Sequence, residues 1–196
     1  MLFRSLLCYD RPVRAQAFWK TVLADRADFL DRLIALLTDH GVRYCVVDGQ
    51  AVNAYAEPVV SLDLDVAVAA DQLGHVEALL RQAFSVERFP HSLNVSVPGS
   101  DLRVQVQTDP RYAAFVARAE IRDVLGLRLP VARLEDVLQG KVWAVTDETR
   151  RPSKRQKDLA DIARLLEVRP ELRGRVPADG ERIIEPLSPV AGQTAG

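Results

Sequence analysis

The sequence predicts an α+β fold: a small mixed β-sheet with flanking helices, followed by a C-terminal helical segment. Three observations predict it. Residues 62–68 alternate as a half-buried strand does, three further strand-like runs follow between residues 84 and 107, and apolar residues recur at helical spacing on both sides of them. The resulting order, α-β-α-β-α-β-β-β and then helices, is that of a mixed sheet with helices packed on it. The 196 residues suit one domain, and 48% hydrophobic with 27% charged residues gives it a feasible core.

Each element has its own signal. Phe29, Leu30, Leu33, Ile34, Leu36 and Leu37 keep helical spacing, and Gly41 supplies the stop. Residues 42–47 read as a short buried strand, and residues 49–57 as a short helix ended by Pro58. After the alternating strand comes a helix that Asp71 can cap and that runs to about Ala83. The runs Ser85–Phe89, 92–97 and 102–107 read as strands, with a turn at residues 98–101 between the last two. From Pro110 onward the pattern is helical apart from one short strand at Leu127–Val131. Periodicity stops after about Val176, so residues 176–196 read as a disordered tail. The domain spans residues 1–175, its core about 26–132 and its C-terminal helices about 133–174.

Composition excludes some classes of function. A formal net charge of -1 argues against a general nucleic-acid coat, so any polyanion contact needs a local patch. The one strongly basic run is residues 150–157, read either as a solvated face or as a patch facing phosphates. Cys8 and Cys45 match no metal or redox spacing and read as reduced thiols. His40, His75 and His91 read as incidental. The start of the chain is too short for a signal peptide, and no apolar run approaches the ~20 residues of a membrane helix. The chain therefore reads as soluble and cytoplasmic, with no membrane partner.

Residues i and i+2 of a strand share a face, so Asp63 and Asp65 point the same way. Leu62, Leu64 and Val66 then point to the apolar side. Two neighbouring carboxylates repel unless a cation sits between them, and a hard divalent ion such as Mg²⁺ suits them. The same pattern also occurs on solvated edges. Gly49 follows a buried strand and opens a helix, where the backbone can approach a phosphate; an ordinary tight turn is the other reading. In the helix at residues 133–145, Lys141 falls near the middle of the apolar face set by Leu134, Val137, Leu138, Val142 and Val145. It either snorkels or points its ammonium into a site. Asp158 lies within the apolar arc of the next helix, with Asp161 at its border. Asp158 either pairs with Arg155 or serves the site.

The run Asp48-Gly49-Gln50-Ala51, with Ser61-Leu62-Asp63-Leu64-Asp65 after a spacer, resembles the Gly-Gly-x-Ala … Thr/Ser-x-Asp-x-Asp signature of minimal nucleotidyltransferases of the polymerase-β-like fold. The later sequence, from Leu129-Pro130-Val131 through Glu135-Asp136, Lys141, Ala144, Arg150-Arg151 and Lys157 to Ile162, follows the order of motifs in the AbiEii/AbiGii-type toxin group. The resemblance covers roughly residues 40 to 170. It implies transfer of an NMP from an NTP to RNA, tRNA among it, or to protein, with an antitoxin as a further partner. It implies Asp63 and Asp65 as Mg²⁺ ligands, Gly49 and Lys141 on the triphosphate, and Asp158 assisting the nucleophile or orienting Lys141.

The chain departs from the pattern in three places. Matching through Thr108, Pro110, Arg111 and Tyr112 puts Gln105 where a third acid belongs, and an amide can coordinate or orient but cannot act as a base. Asp109 shares its parity but stands about 13 Å further along the strand, at ~3.3 Å per residue. Asp48 replaces the first glycine of the signature, and Val59 stands where the group often has Arg. A non-catalytic module that binds a nucleotide or a protein partner through the same cleft is therefore the alternative.

Overall fold

The computed structural model describes residues 24–177. Cys8 and most of the expected tail lie outside the described residues. Helix α1 (Ala24–Asp39) buries Phe29, Leu30, Leu33 and Leu37. It ends where Gly41 takes φ 60, with the Gly41 and Val42 N–H groups returning to the Thr38 and Leu37 carbonyls. Strand β1 (Tyr44–Val47) is buried along its whole length, and α2 (Asp48–Asn53) follows with no loop between them. The latter stops short of the predicted Glu57. A clamp accounts for this: Asn53 accepts from Val59 N and donates to Val59 O, folding the chain into a turn.

Strand β2 (Asp63–Val68) buries Leu64 and Val66 completely on one face. Leu62, expected on that face, lies before the strand and is 40% exposed. A 3₁₀ turn (Ala70–Gln72) then leads into α3 (Leu73–Ala83), which has no side-chain N-cap. Asp71 does not cap it as expected, because its carboxylate accepts from Arg43 Nη2 at 2.7 Å. The antiparallel strands β3 (Ser85–Phe89), β4 (Ser92–Ser96) and β5 (Arg103–Gln107) follow, with Gly99 at φ 84 in the expected turn.

The region after Pro110 corrects the sequence reading. A 3₁₀ turn and the single helical turn α4 (Ala113–Ala117) give way to strand β6 (Glu120–Val124), which pairs with β7 (Leu127–Val131) in a hairpin. The hairpin turn places Leu125 at φ 52 and Gly126 at φ 85, the doubly left-handed geometry of a tight two-residue turn. Helices α5 (Leu134–Thr146) and α6 (Pro152–Val168) complete the fold. Among the described residues no helix is long and apolar enough to cross a membrane.

The seven strands run in the order β3-β4-β5-β2-β1-β7-β6. Within this sheet, β2 is antiparallel to β1 and parallel to β5, with Asp63 opposite Arg103 and Asp65 opposite Gln105. The same face of the sheet continues outward, because Gln105 pairs with Asn94 and Asn94 with Glu87. One apolar core joins α1, the sheet, α5 and α6 through Leu33, Leu64, Leu93, Leu138 and Ile162, all fully buried.

Candidate active site

The six residues singled out by sequence, Gly49, Asp63, Asp65, Gln105, Lys141 and Asp158, all line one cleft of about 600 Å³. The strand alternation delivers Asp63 and Asp65 to its floor. Asp65 is buried, and Gln107 Nε2 donates to its Oδ1 at 3.1 Å. Neither acid forms an ion pair among the described residues. Burial first, and then the Asp48 and Asp63 carboxylates, push the Asp65 carboxyl up to about 8, against the Gln107 hydrogen bond and the Lys141 charge. Such a group gains from a cation. Hard carboxylate oxygens on one strand face, with the Gln105 amide in register, are a donor set that fits a divalent ion of the magnesium type.

Lys141 is 2% exposed, and its ammonium lies among three carboxylates. It donates to Asp48 Oδ1 and, at 3.0 Å, to Asp158 Oδ1, and it stands 2.7 Å from Asp161 Oδ2. Burial disfavours the ammonium, but Asp48, Asp161 and Asp158 outweigh it and hold the lysine above its ordinary value. Asp158 also takes Arg150 at 2.6 Å, and Asp161 takes Arg164 at 2.8 Å. The cluster therefore balances three carboxylates with three cations. The Asp48, Asp158 and Asp161 oxygens lie within 4.8 Å of one another, close enough for a cation. The cation the structure puts there is Lys141. Asp158 does not pair with Arg155, whose guanidinium instead donates to Asp147 O at 2.7 Å.

Asp48 ties this cluster to the floor. Its φ of 55 is left-handed, a region that costs most non-glycine residues ~1–2 kcal/mol and that Asp tolerates better than most. That geometry explains why the resembling signature has glycine at this position. Burial opposes its ionisation, but the charge and hydrogen bond of Lys141, with Arg150 and Lys157 further off, hold its carboxyl below the usual range. Next to it, a side-chain carbon on Gly49 would stand 3.9 Å from Lys157 Nζ, so the bare backbone leaves space beside that ammonium.

The rest of the cleft was less visible in the sequence. Lys154 and Lys157, from the basic run, line it, and so does His91, although its sequence context marks nothing. Tyr112 also lines the cleft: burial, then the Asp48 and Asp65 charges, push its phenol up to about 12. It is held edge-on by Phe115 and Trp143, whose rings stack at 5.6 Å, with Arg111 over the Trp143 ring at 4.8 Å. Signals for Asp48 and Arg164 were missing because their partners lie 93 and 111 residues away in the chain.

No family model and no curated protein matches the chain. Solved structures do. The solution structure of the antibiotic-resistance factor ANT(2'')-Ia is similar at a TM-score of 0.52 and 14% identity, over 78% of this chain and 93% of that one. The crystal structure of ANT(2'')-Ia in complex with adenylyl-2''-tobramycin gives 0.51 and 14%, over 77% and 98%. A nucleotidyltransferase-like protein from Paracoccidioides brasiliensis gives 0.48 and 15%, over 88% and 86%. The seven-stranded mixed sheet with its flanking helices is thus the nucleotidyltransferase fold.

Proposed function

We propose that this chain is a metal-dependent nucleotidyltransferase that moves an NMP from an NTP to an acceptor hydroxyl. One observation carries the reading. Asp63 and Asp65 stand side by side, without a cationic partner, beside a cluster whose own charges already balance. Asp63 and Asp65 would hold Mg²⁺, which when bound supplies charge neutralisation at the transferring phosphate. Lys157 and Lys154, with the open backbone at Gly49, would take the triphosphate. Lys141 contributes a fixed positive charge beneath it, and Asp158 orients that lysine together with Arg150. Gln105 would orient the acceptor through its amide.

The sequence resemblance adds finer expectations: an AbiEii-like protein acting in the cytoplasm, with tRNA or a protein as acceptor and an antitoxin as partner. A second reading, a cleft that binds a nucleotide without turning it over, is favoured by Gln105. It stands in register with Asp65, where a third carboxylate would take the proton. One experiment separates the two. Four α-labelled NTPs are offered with Mg²⁺ and total tRNA to the wild type and to Asp63→Ala. Transfer that disappears in a folded Asp63→Ala supports the enzyme; transfer that survives refutes the assignment. Tight nucleotide binding with no transfer by the wild type supports the second reading.

A further inference from the structure

The metal centre proposed above is flanked unevenly. Strand β2 lies between β5 and β1, and Asp65 is paired with Gln105 on one side and Val47 on the other. The β5 side offers an amide. On the β1 side the residue after Val47 is Asp48, which lines the cleft together with Asp63 and Asp65. Had β1 run one residue further, alternation would have turned Asp48 away from the face that Val47 and Asp65 share. Its left-handed φ of 55 ends the strand, and the carboxylate lines the cleft instead.

The oxygens around Lys141 are unequally engaged. Asp158 gives one to Lys141 and the other to Arg150, and Asp161 divides its pair between Lys141 and Arg164. Asp48 gives Oδ1 to Lys141, and among the described residues nothing pairs with its Oδ2. Asp65 is alike: Gln107 holds Oδ1, and Oδ2 has no hydrogen-bond partner among the described residues, in a residue only 8% exposed. The two acids also sense each other. Of the neighbouring carboxylates that raise the Asp65 carboxyl, Asp48 acts more strongly than Asp63, although Asp63 is on the same strand. Like charges this close repel unless a cation joins them.

We propose that Asp48 supplies the third carboxylate, the one Gln105 does not: its Oδ2 and that of Asp65 would hold the divalent ion, with Asp63 beside them. This rests on the transferase reading, to whose donor set it adds one oxygen. Lys141 then has a task at the site, fixing Asp48 through Oδ1 so that only Oδ2 is left for the ion. Asp158 and Asp161 have no oxygen to add, and they serve by fixing Lys141. The strained backbone also gains a reason. A non-glycine residue persists in the left-handed region where its surroundings hold it there, and such residues gather at functional sites. Glycine at this position would relieve the backbone and remove the ligand in one step.

Mn²⁺ binding to the nucleotide-free full chain, measured by calorimetry, tests the assignment without turnover. Asp48→Asn tolerates the left-handed backbone and Asp48→Gly adopts it freely, so both are expected to keep the fold. Each should raise the Mn²⁺ Kd on the order of tenfold, the change one charged contact carries. A third variant reads ligation directly. In Asp48→Cys a thiolate replaces the carboxylate, so Cd²⁺ should bind with an ultraviolet sulfur-to-metal absorption that the wild type lacks. An unchanged Mn²⁺ Kd in Asp48→Asn and Asp48→Gly overturns the inference. So does a weakened Kd without the Cd²⁺ absorption in Asp48→Cys, which would leave Asp48 as a partner of Lys141 alone. Mn²⁺ that binds the wild type no better than the double variant Asp63→Asn, Asp65→Asn refutes the metal-dependent reading beneath it.

Discussion

Replacing Lys141 by Met keeps the bulk of the side chain and removes its charge from the centre of Asp48, Asp158 and Asp161. The consequences for the three acids differ. Asp158 keeps Arg150 at 2.6 Å and Asp161 keeps Arg164 at 2.8 Å, but Asp48 loses the one ion pair it forms among the described residues. Breaking a buried pair from one side costs about 3–5 kcal/mol. Asp48 is 34% exposed and can recruit some water, which places the loss near the lower end, about 3 kcal/mol. That is a large share of the 5–15 kcal/mol typical of a domain. Asp48→Asn alone should cost about 1 kcal/mol, since Lys141 keeps two carboxylates and Asn tolerates the left-handed backbone. In the Lys141→Met background, the same change should recover about 2 kcal/mol, because it removes the orphaned acid. Urea unfolding of the four proteins, read by linear extrapolation, measures the coupling. Additivity within about 0.5 kcal/mol, or a loss below about 1 kcal/mol in Lys141→Met, would refute the account.

Two further outcomes follow from the floor of the cleft. Asp65 titrates near 8 in the folded chain, far above its unfolded value, so without metal the native state carries a proton that the unfolded state has lost. Stability should therefore fall as pH rises from about 4 to about 8, and Asp65→Asn should flatten that slope in urea titrations with a chelator present. Asp48, held below the ordinary range, adds stability that is lost only in stronger acid, outside this window. Equal slopes in the two proteins would count against the burial argument. Gly49→Ala should change stability by less than about 1 kcal/mol, as its new carbon meets only Lys157 Nζ at an ordinary 3.9 Å. The KM for NTP should nevertheless rise on the order of tenfold in initial-rate assays, because one phosphate contact is obstructed; an unchanged KM removes Gly49 from the nucleotide site.

Much of the architecture was legible because it is written in local periodicity. The alternation of β2 aimed Asp63 and Asp65, and the apolar stripe of α5 put Lys141 on the buried face, where it either snorkels or enters a site. What it points at was not legible. Asp48 looked like a departure from a glycine motif, yet at φ 55 it is both the residue in the glycine's place and the partner of Lys141. Strand β6 escaped because Glu120, Arg122 and Asp123 make it a charged edge strand, and because its turn has Leu125 where Asn or Asp would have signalled a hairpin. Asp71 was a sound cap by composition, but a guanidinium from the loop before β1 won its carboxylate.

The long separations inside the ion cluster also set an order of events in time. Asp48 leaves the ribosome 93 residues before Lys141, and Asn53 leaves it 111 residues before the Arg164 that binds it. Contacts this distant in sequence close late and slowly. Until α5 has been synthesised, a nascent chain holds its left-handed acid without the Lys141 counter-charge. The floor of the cleft is thus among the first parts made and the last to become firm, and a ribosome stalled before residue 164 would carry a sheet whose ion cluster is not yet complete.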